Sequence, residues 1–190
     1  MGLDISAYGN LKEIPRKEDL DEHWDSDIVI WEENPFLYQL GSLKRGSVYE
    51  VTSVISSFRA GSYTGYNEWR KTLLTLITEQ NIDDYWYENM FFTNYDYFEY
   101  QTFIRENKLK RILKEDVDKT YKNLENMPFA EIINFSDGEG FIGPEVCEKL
   151  YLDFVKYDKV AKEKMSAWYY GVYQNFMNAL SIKGCVLHFH

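Results

Sequence analysis

Cationic side chains are scarce in this sequence of 190 residues. Lys and Arg together number 21 against 31 Asp and Glu, so the formal net charge is −10. Gripping a nucleic-acid polymer or docking on anionic lipid depends on Lys and Arg, so this balance argues against both kinds of partner. It remains compatible with a basic protein partner, and with a small anionic ligand held by one or two local arginines.

Cysteine and long apolar runs are also rare. Cys147 and Cys185 lie far apart in the sequence and form neither a metal-ligand motif nor a redox motif, which favours a reduced cytoplasmic setting. The longest uncharged run, residues 165–182, contains Ser, Asn and Gln, so it predicts a soluble helix rather than a membrane span. After Met1 the chain lacks the basic start and apolar run of a secretory signal.

Core material is plentiful, because 45% of the residues are hydrophobic and 17% are aromatic. This composition and length predict a single domain over residues 1–190. Short apolar or alternating segments predict strands at residues 3–7, 47–58, 129–135 and 185–190. Apolar residues at helical spacing predict helices at residues 66–81, 104–125, 144–157 and 165–180. We therefore expect an α+β fold, a small and mostly antiparallel sheet packed against about four helices.

A first glycine loop joins the strand predicted at residues 47–58 to the helix that follows. Its hydroxyls and the helix N-terminus can bind an anion, its two arginines can grip a phosphate or carboxylate, and its rings can stack on a planar group. The candidate ligand-binding residues are Arg59, Ser62, Tyr63, Thr64, Gly65, Tyr66, Asn67, Trp69 and Arg70. The simpler interpretation is that Ser62 or Thr64 caps the helix and Trp69 belongs to the core. Capping alone needs neither two arginines nor three clustered rings, which favours binding.

A second glycine loop, residues 135–145, precedes the helix predicted to begin at Pro144. Ser136, Asp137 and Glu139 are its candidate ligand-binding residues, because a carboxylate pair can accept hydrogen bonds from a ribose or a base edge, bind a divalent cation, or act as acid and base. A turn with solvated carboxylates is the alternative. If the strands that precede the two loops are neighbours, the loops form one pocket with a basic and an acidic side. Neither loop matches a P-loop or a dinucleotide fingerprint, so no cofactor is expected.

Four segments carry a resemblance that spans most of the chain. They are the opening Met1-Gly-Leu-Asp-Ile5, the blocks Gly61-Ser-Tyr-Thr-Gly-Tyr-Asn67-x-Trp69-Arg70 and Phe135-Ser-Asp-x-Glu139-Gly-x-Ile-Gly-Pro144-Glu145, and the terminal His188-Phe-His190. The chain thereby resembles a group of small bacteriophage and bacterial proteins to which no activity is assigned. The resemblance implies a cytoplasmic setting, that of the host cell if the protein is phage-encoded, and it implies no mechanism.

The histidines suggest one alternative function. His188 and His190 alternate on a predicted strand and so face the same side, where Asp137 or Glu139 could complete a metal site for a metal-dependent hydrolase. A plain edge strand is the simpler interpretation, and no nucleophile motif is present. An enzyme is therefore less favoured than a binding protein.

An unusual segment at residues 83–103 suggests another alternative. Ten of its 21 residues are aromatic, five are acidic and none is basic. It could be an insertion that covers the core, or a sticky surface for a host protein or for a second copy of the chain. The leading hypothesis remains a non-catalytic protein that binds a small polar or anionic, nucleotide-like ligand. In a phage such a protein could sequester a host signalling molecule. The alternatives are an acidic inhibitor or adaptor that acts through residues 83–103, and the metal-dependent hydrolase.

Overall fold

A computed structural model describes residues 2–16, 27–32, 39–77, 127–133, 135 and 140–190. Seven strands lie in these ranges: β1 (Leu3–Gly9), β2 (Lys12–Ile14), β3 (Asp27–Val29), β4 (Val48–Glu50), β5 (Ser53–Gly61), β6 (Gly140–Ile142) and β7 (Val186–Phe189). Four helices lie there too: α1 (Tyr63–Ile77), α2 (Ala130–Ile133), α3 (Pro144–Lys164) and α4 (Ala167–Leu180). The helix predicted at residues 104–125 lies outside the described ranges.

The strands form two antiparallel sheets. The larger has the order β5-β1-β7-β6 and the smaller has the order β2-β4-β3. The first and last strands of the chain are thus the central pair of the larger sheet, with Ile5 opposite Phe189 and Tyr8 opposite Val186. Mixed helices and antiparallel sheets confirm the predicted α+β class.

Strand alternation divides the core into two hydrophobic clusters on opposite faces of the larger sheet. Leu3, Ile5 and Leu187 face the helices and belong to the same core cluster as Phe176 of α4. Phe176 stacks on Trp69 at 4.8 Å and meets the edge of Phe58 at 5.0 Å between ring centroids. These contacts place α4 beside the β5 side of the sheet.

The second cluster joins the other face of the larger sheet to the smaller sheet. Phe141 and Val186 come from the larger sheet, while Ile28 and Tyr49 come from the smaller one. The helices, the larger sheet and the smaller sheet are therefore three successive layers.

Two strand predictions are corrected by this arrangement. The single strand expected at residues 47–58 is two strands in different sheets, separated at Val51 and Thr52. Thr52 turns the chain between them, since its hydroxyl donates to the carbonyl oxygen of Asn10 at 2.6 Å. β5 then continues to Gly61, beyond the expected end.

The strand expected at residues 129–135 is instead the helical turn α2. Phe129 has a φ of 58°, a left-handed conformation that ends any extended run. Its carbonyl oxygen accepts from the N–H groups of Ile132 and Ile133 at 3.0 and 2.9 Å, so the backbone bonds are local. Lys149 of α3 then fixes the turn by donating to the carbonyl oxygen of Met127 and to Glu131.

The predictions for the later part of the chain are confirmed. Pro144 occupies the first turn of α3, and Ser166 is the N-cap of α4, where its hydroxyl accepts from the Tyr169 N–H. Residues 186–189 form the last strand. Among the helices described, none is long and apolar enough to cross a membrane.

Candidate ligand-binding groove

The first glycine loop is a helix cap in this structure. β5 ends at Gly61, whose φ of 112° is open to glycine but strained for other residues. Ser62 then accepts the N–H of Gly65 on its hydroxyl oxygen at 3.0 Å and the N–H of Tyr66 on its carbonyl oxygen at 2.8 Å. The simpler interpretation of Ser62, a capping residue of α1, describes these contacts fully.

Three of the candidate residues on α1 belong to the core. Tyr66 and Trp69 have 0% exposure and Arg70 has 1%. The Trp69 indole N–H donates to the Tyr169 carbonyl oxygen at 3.1 Å, which ties α1 to α4. Since these side chains are buried among protein atoms, they lie where a ligand on the surface of the folded protein cannot contact them.

Arg70 has a structural place within that core. Its guanidinium donates to the carbonyl oxygen of Ile133 at 2.7 Å and also to the Asn67 side chain. The same group lies 5.3 Å from the centre of the Tyr66 ring. Arg70 therefore joins α1 to the end of α2, while Asn67 orients the guanidinium.

The exposed candidates are Arg59, Ser62, Tyr63 and Thr64, with Gly65 and Asn67 partly covered. Gly61 makes room for a ring from another helix, because a Cβ there would come within 2.7 Å of Trp168. At Gly65 a Cβ would lie 3.8 Å from the same ring, an ordinary van der Waals contact. The ring of Trp168 therefore lies across the loop, a contact that the sequence of the loop does not predict.

Trp168 and Arg59 open onto a groove of about 450 Å³ along one side of α4. It is lined by Arg59, Ala167, Trp168, Gly171, Val172, Gln174, Asn175 and Asn178. Trp168 is 51% exposed, which is unusual for the largest side chain in a protein. Arg59 lies at the end of β5 and extends its guanidinium past Gly2, where a Cβ would overlap it.

The chemistry of the groove differs from that of the whole molecule. Among the described residues that line it, Arg59 carries the only formal charge, although the whole chain is strongly acidic. Gln174, Asn175 and Asn178 add carboxamides, each with donors and an acceptor. A cation, an exposed ring and three carboxamides can hold an anionic group, a planar ring and hydroxyl or ring-edge polar atoms, respectively.

We did not predict from the sequence that α4 lines this groove. The sequence of α4 does contain an indication, because Gly171, Gln174, Asn175 and Asn178 interrupt an otherwise apolar helix. We interpreted Gln174, Asn175 and Asn178 only as evidence for a soluble helix, and we assigned no role to Gly171. Identifying them as a lining surface requires the contact between α4 and the end of β5.

The second glycine loop supplies none of the described residues that line the groove. Ser136, Asp137 and Glu139 lie outside the described residues, as do residues 83–103. The condition for a shared pocket, neighbouring parent strands, does not hold, because the segment expected before this loop is the helix α2. The strand β6, which does precede Pro144, lies at the opposite edge of the larger sheet from β5.

The rings of His188 on β7 and of His190 just after it are neighbours, as the alternation of the two residues predicts. Their ring centroids are 4.9 Å apart, and His188 stacks on Phe141 at 4.3 Å. Burial, with His190 as a smaller cause, lowers the pKa of His188 to about 4, so its imidazole is neutral at physiological pH. His190 lies 3.0 Å from the Ser6 hydroxyl through Nε2. In the described parts of the chain, no three His, Cys, Asp or Glu side chains are grouped for metal binding.

The two cysteines, remote in sequence, meet in the core. Both are buried free thiols, and the Cys147 thiol donates to the Ile142 carbonyl oxygen at 3.4 Å. Burial and the neighbouring Cys185 thiol raise the pKa of Cys147 well above its ordinary value. A raised pKa suppresses the reactive thiolate, so this pair has the properties of structural cysteines.

Comparisons with family models, with curated proteins and with solved structures find no match for this chain.

Proposed function

We propose that this protein binds a small polar, nucleotide-like ligand in the groove between Arg59 and α4, without catalysing a reaction on it. The observation that carries the proposal is the lining itself. One guanidinium, one half-exposed indole and three carboxamides converge on a single open volume in an otherwise acidic molecule.

Each part of such a ligand has a counterpart in the lining. Arg59 presents a planar fork that suits a phosphate or a carboxylate. Trp168 offers a large ring face to a planar group, and the carboxamides can pair with sugar hydroxyls or with the polar edge of a base. The volume of about 450 Å³ is within the usual range for small-molecule sites.

Binding without catalysis is favoured by the chemistry of the same residues. Within the described lining, no side chain titrates near neutral pH and none is a nucleophile placed beside a base. General acid–base and covalent catalysis both need such groups.

The setting of this function is a further part of the proposal, supported by the resemblance to bacteriophage and bacterial proteins. In the cytoplasm of a host cell, a binding protein without turnover would lower the free concentration of its ligand. We therefore propose that the protein sequesters a host signalling molecule by binding it in the groove.

The test begins with protein purified from cells. Native mass spectrometry and analysis of the small molecules released by heating would identify a carried ligand, and a nucleotide panel in calorimetry would measure binding. Arg59→Ala is expected to weaken binding at least tenfold, whereas Lys162→Ala, which removes an exposed charge from α3, leaves it unchanged. A protein that carries no ligand and binds none of the panel would contradict the proposal.

A further inference from the structure

Gly171 is the unexplained residue of α4. It lies inside the helix, four residues after Ala167, where glycine is less favourable than alanine because it loses more backbone entropy on folding. A packing requirement or a function can account for glycine at such a position, and the packing requirement would be a neighbouring atom that leaves no room for a Cβ.

Among the residues that the structure describes, none gives a packing reason for Gly171. A Cβ built there would have no described atom within 4 Å. By contrast, a Cβ at Gly61 would come within 2.7 Å of Trp168, and one at Gly143 would overlap the Leu40 carbonyl oxygen. In the described part of the molecule the space beside Gly171 is therefore open, and it belongs to the groove.

The residues around that space lie on one helical face. Trp168 precedes Gly171 by three positions, while Asn175 and Asn178 follow it by four and by seven. Without a side chain, the helix backbone at Gly171 forms a flat surface with an exposed indole on one side and carboxamides on the other.

We infer that Gly171 is the floor on which a planar ring of the ligand lies, and that it determines which ligands the groove admits. Trp168 borders the ring on one side, and the Asn175 amide pairs with its polar edge. Arg59 then takes the anionic group, so the ligand class is a heteroaromatic ring joined to a phosphate or carboxylate. This inference rests on the proposed function.

The experiment compares Gly171→Ala and Gly171→Leu with the unchanged protein, using the four nucleoside 5′-monophosphates as probes. Both variants are expected to melt about 2–4 °C higher, since they gain helix propensity in open space. The Leu variant is expected to bind the best probe at least tenfold more weakly, and the Ala variant to fall in between. Quenching of Trp168 fluorescence, identified by its absence in Trp168→Phe, is expected to disappear in the Leu variant.

The possible failures are distinct. An unchanged protein that binds none of the probes and carries no ligand would overturn the proposed function, and this inference with it. Binding by the unchanged protein with equal binding by Gly171→Leu would overturn the inference alone. A lower melting temperature for Gly171→Ala would also overturn it, because the glycine would then have a packing role.

Discussion

At the scale of single residues, two arginines that look alike in the sequence differ in the structure. Arg59 and Arg70 both flank the first glycine loop, and both are equally plausible anion ligands from their positions. Arg59 is exposed at the groove, whereas Arg70 is buried and bonded to Ile133 and Asn67. The difference arises because Arg70 lies on the same helical face as Tyr66, Trp69 and Leu73, which together enter the core.

Replacing Arg70 tests this division of roles. Arg70→Met keeps an unbranched apolar side chain but removes the guanidinium, which leaves the Ile133 carbonyl oxygen without this donor, so we expect a loss of about 2–3 kcal/mol in unfolding free energy. Arg59→Ala should change it by less than about 0.5 kcal/mol. Urea denaturation measures both, and equal stabilities for the two variants would contradict the structural role of Arg70.

His188 predicts a pH dependence of stability. Its folded pKa of about 4 is below the ordinary value of 6.5, so the unfolded chain binds its proton more readily. The contribution of His188 to stability is therefore complete above about pH 6.5, and it is lost as the pH falls towards 4.

We expect His188→Phe, which preserves a ring against Phe141, to remove this dependence. Between pH 7 and pH 4 the unchanged protein should lose up to about 3 kcal/mol more unfolding free energy than the variant. Urea titrations at each pH provide the comparison. Parallel pH profiles for the two proteins would contradict this prediction, because they would show that folding leaves the pKa of His188 unchanged.

At the scale of elements, the helices were easier to predict than the strands. α3 and α4 have long apolar stripes and clear start signals, Pro144 and Ser166, so the sequence alone places them well. The strand predictions were wrong in two places. At Phe129 local backbone hydrogen bonds replace pairing between strands, and at Thr52 one apolar run is divided between two sheets. Neither event leaves a periodic pattern, because both depend on contacts with distant parts of the chain.

The candidate site was predictable to a smaller degree. Arg59 and the loop before α1 were identified from charge and glycine content, but α4 was not. A groove between elements is set by how helices pack on a sheet, and single-segment patterns do not encode that geometry. Trp168, Gly171 and the carboxamides therefore enter only with the structure.

Gly143 provides a prediction about how α3 is held. Its N–H donates to the Gln39 carbonyl oxygen at 2.6 Å, and an added Cβ would overlap the Leu40 carbonyl oxygen. Gly143→Ala should therefore push residues 39–41 away from the start of α3 and lower the unfolding free energy by about 2–3 kcal/mol.

The matched control for Gly143 is Gly171→Ala, which makes the same chemical change in open space and should raise stability. Thermal and urea unfolding distinguish the two variants. If Gly143→Ala were as stable as Gly171→Ala, the close approach between α3 and residues 39–41 would be refuted.

At the scale of the whole molecule, the buried cysteines report on global opening. Cys147 and Cys185 are each 1% exposed, and both lie in the large core cluster beneath the helices. Opening this cluster requires disruption of the contacts between the larger sheet and α3, so a thiol reagent reaches them only in open states.

We expect Ellman's reagent to label these thiols at least about a hundredfold more slowly in the folded protein than in urea. The folded rate should also rise in Gly143→Ala, because that variant opens more often. Complete labelling within seconds under folding conditions would contradict the burial of the pair.

The central position of β1 and β7 has a consequence for how this chain folds during synthesis. Ser6 and His190, whose side chains meet, are 184 positions apart in the sequence. The two middle strands of the sheet therefore cannot pair until residues 186–189 have left the ribosome. Until then β1 can pair with β5 alone, and β6 lacks its partner strand β7. Completion of the sheet is then a late step, because it joins residues that are far apart in the sequence. We expect ribosome-bound chains from which β7 has not yet emerged to remain sensitive to protease.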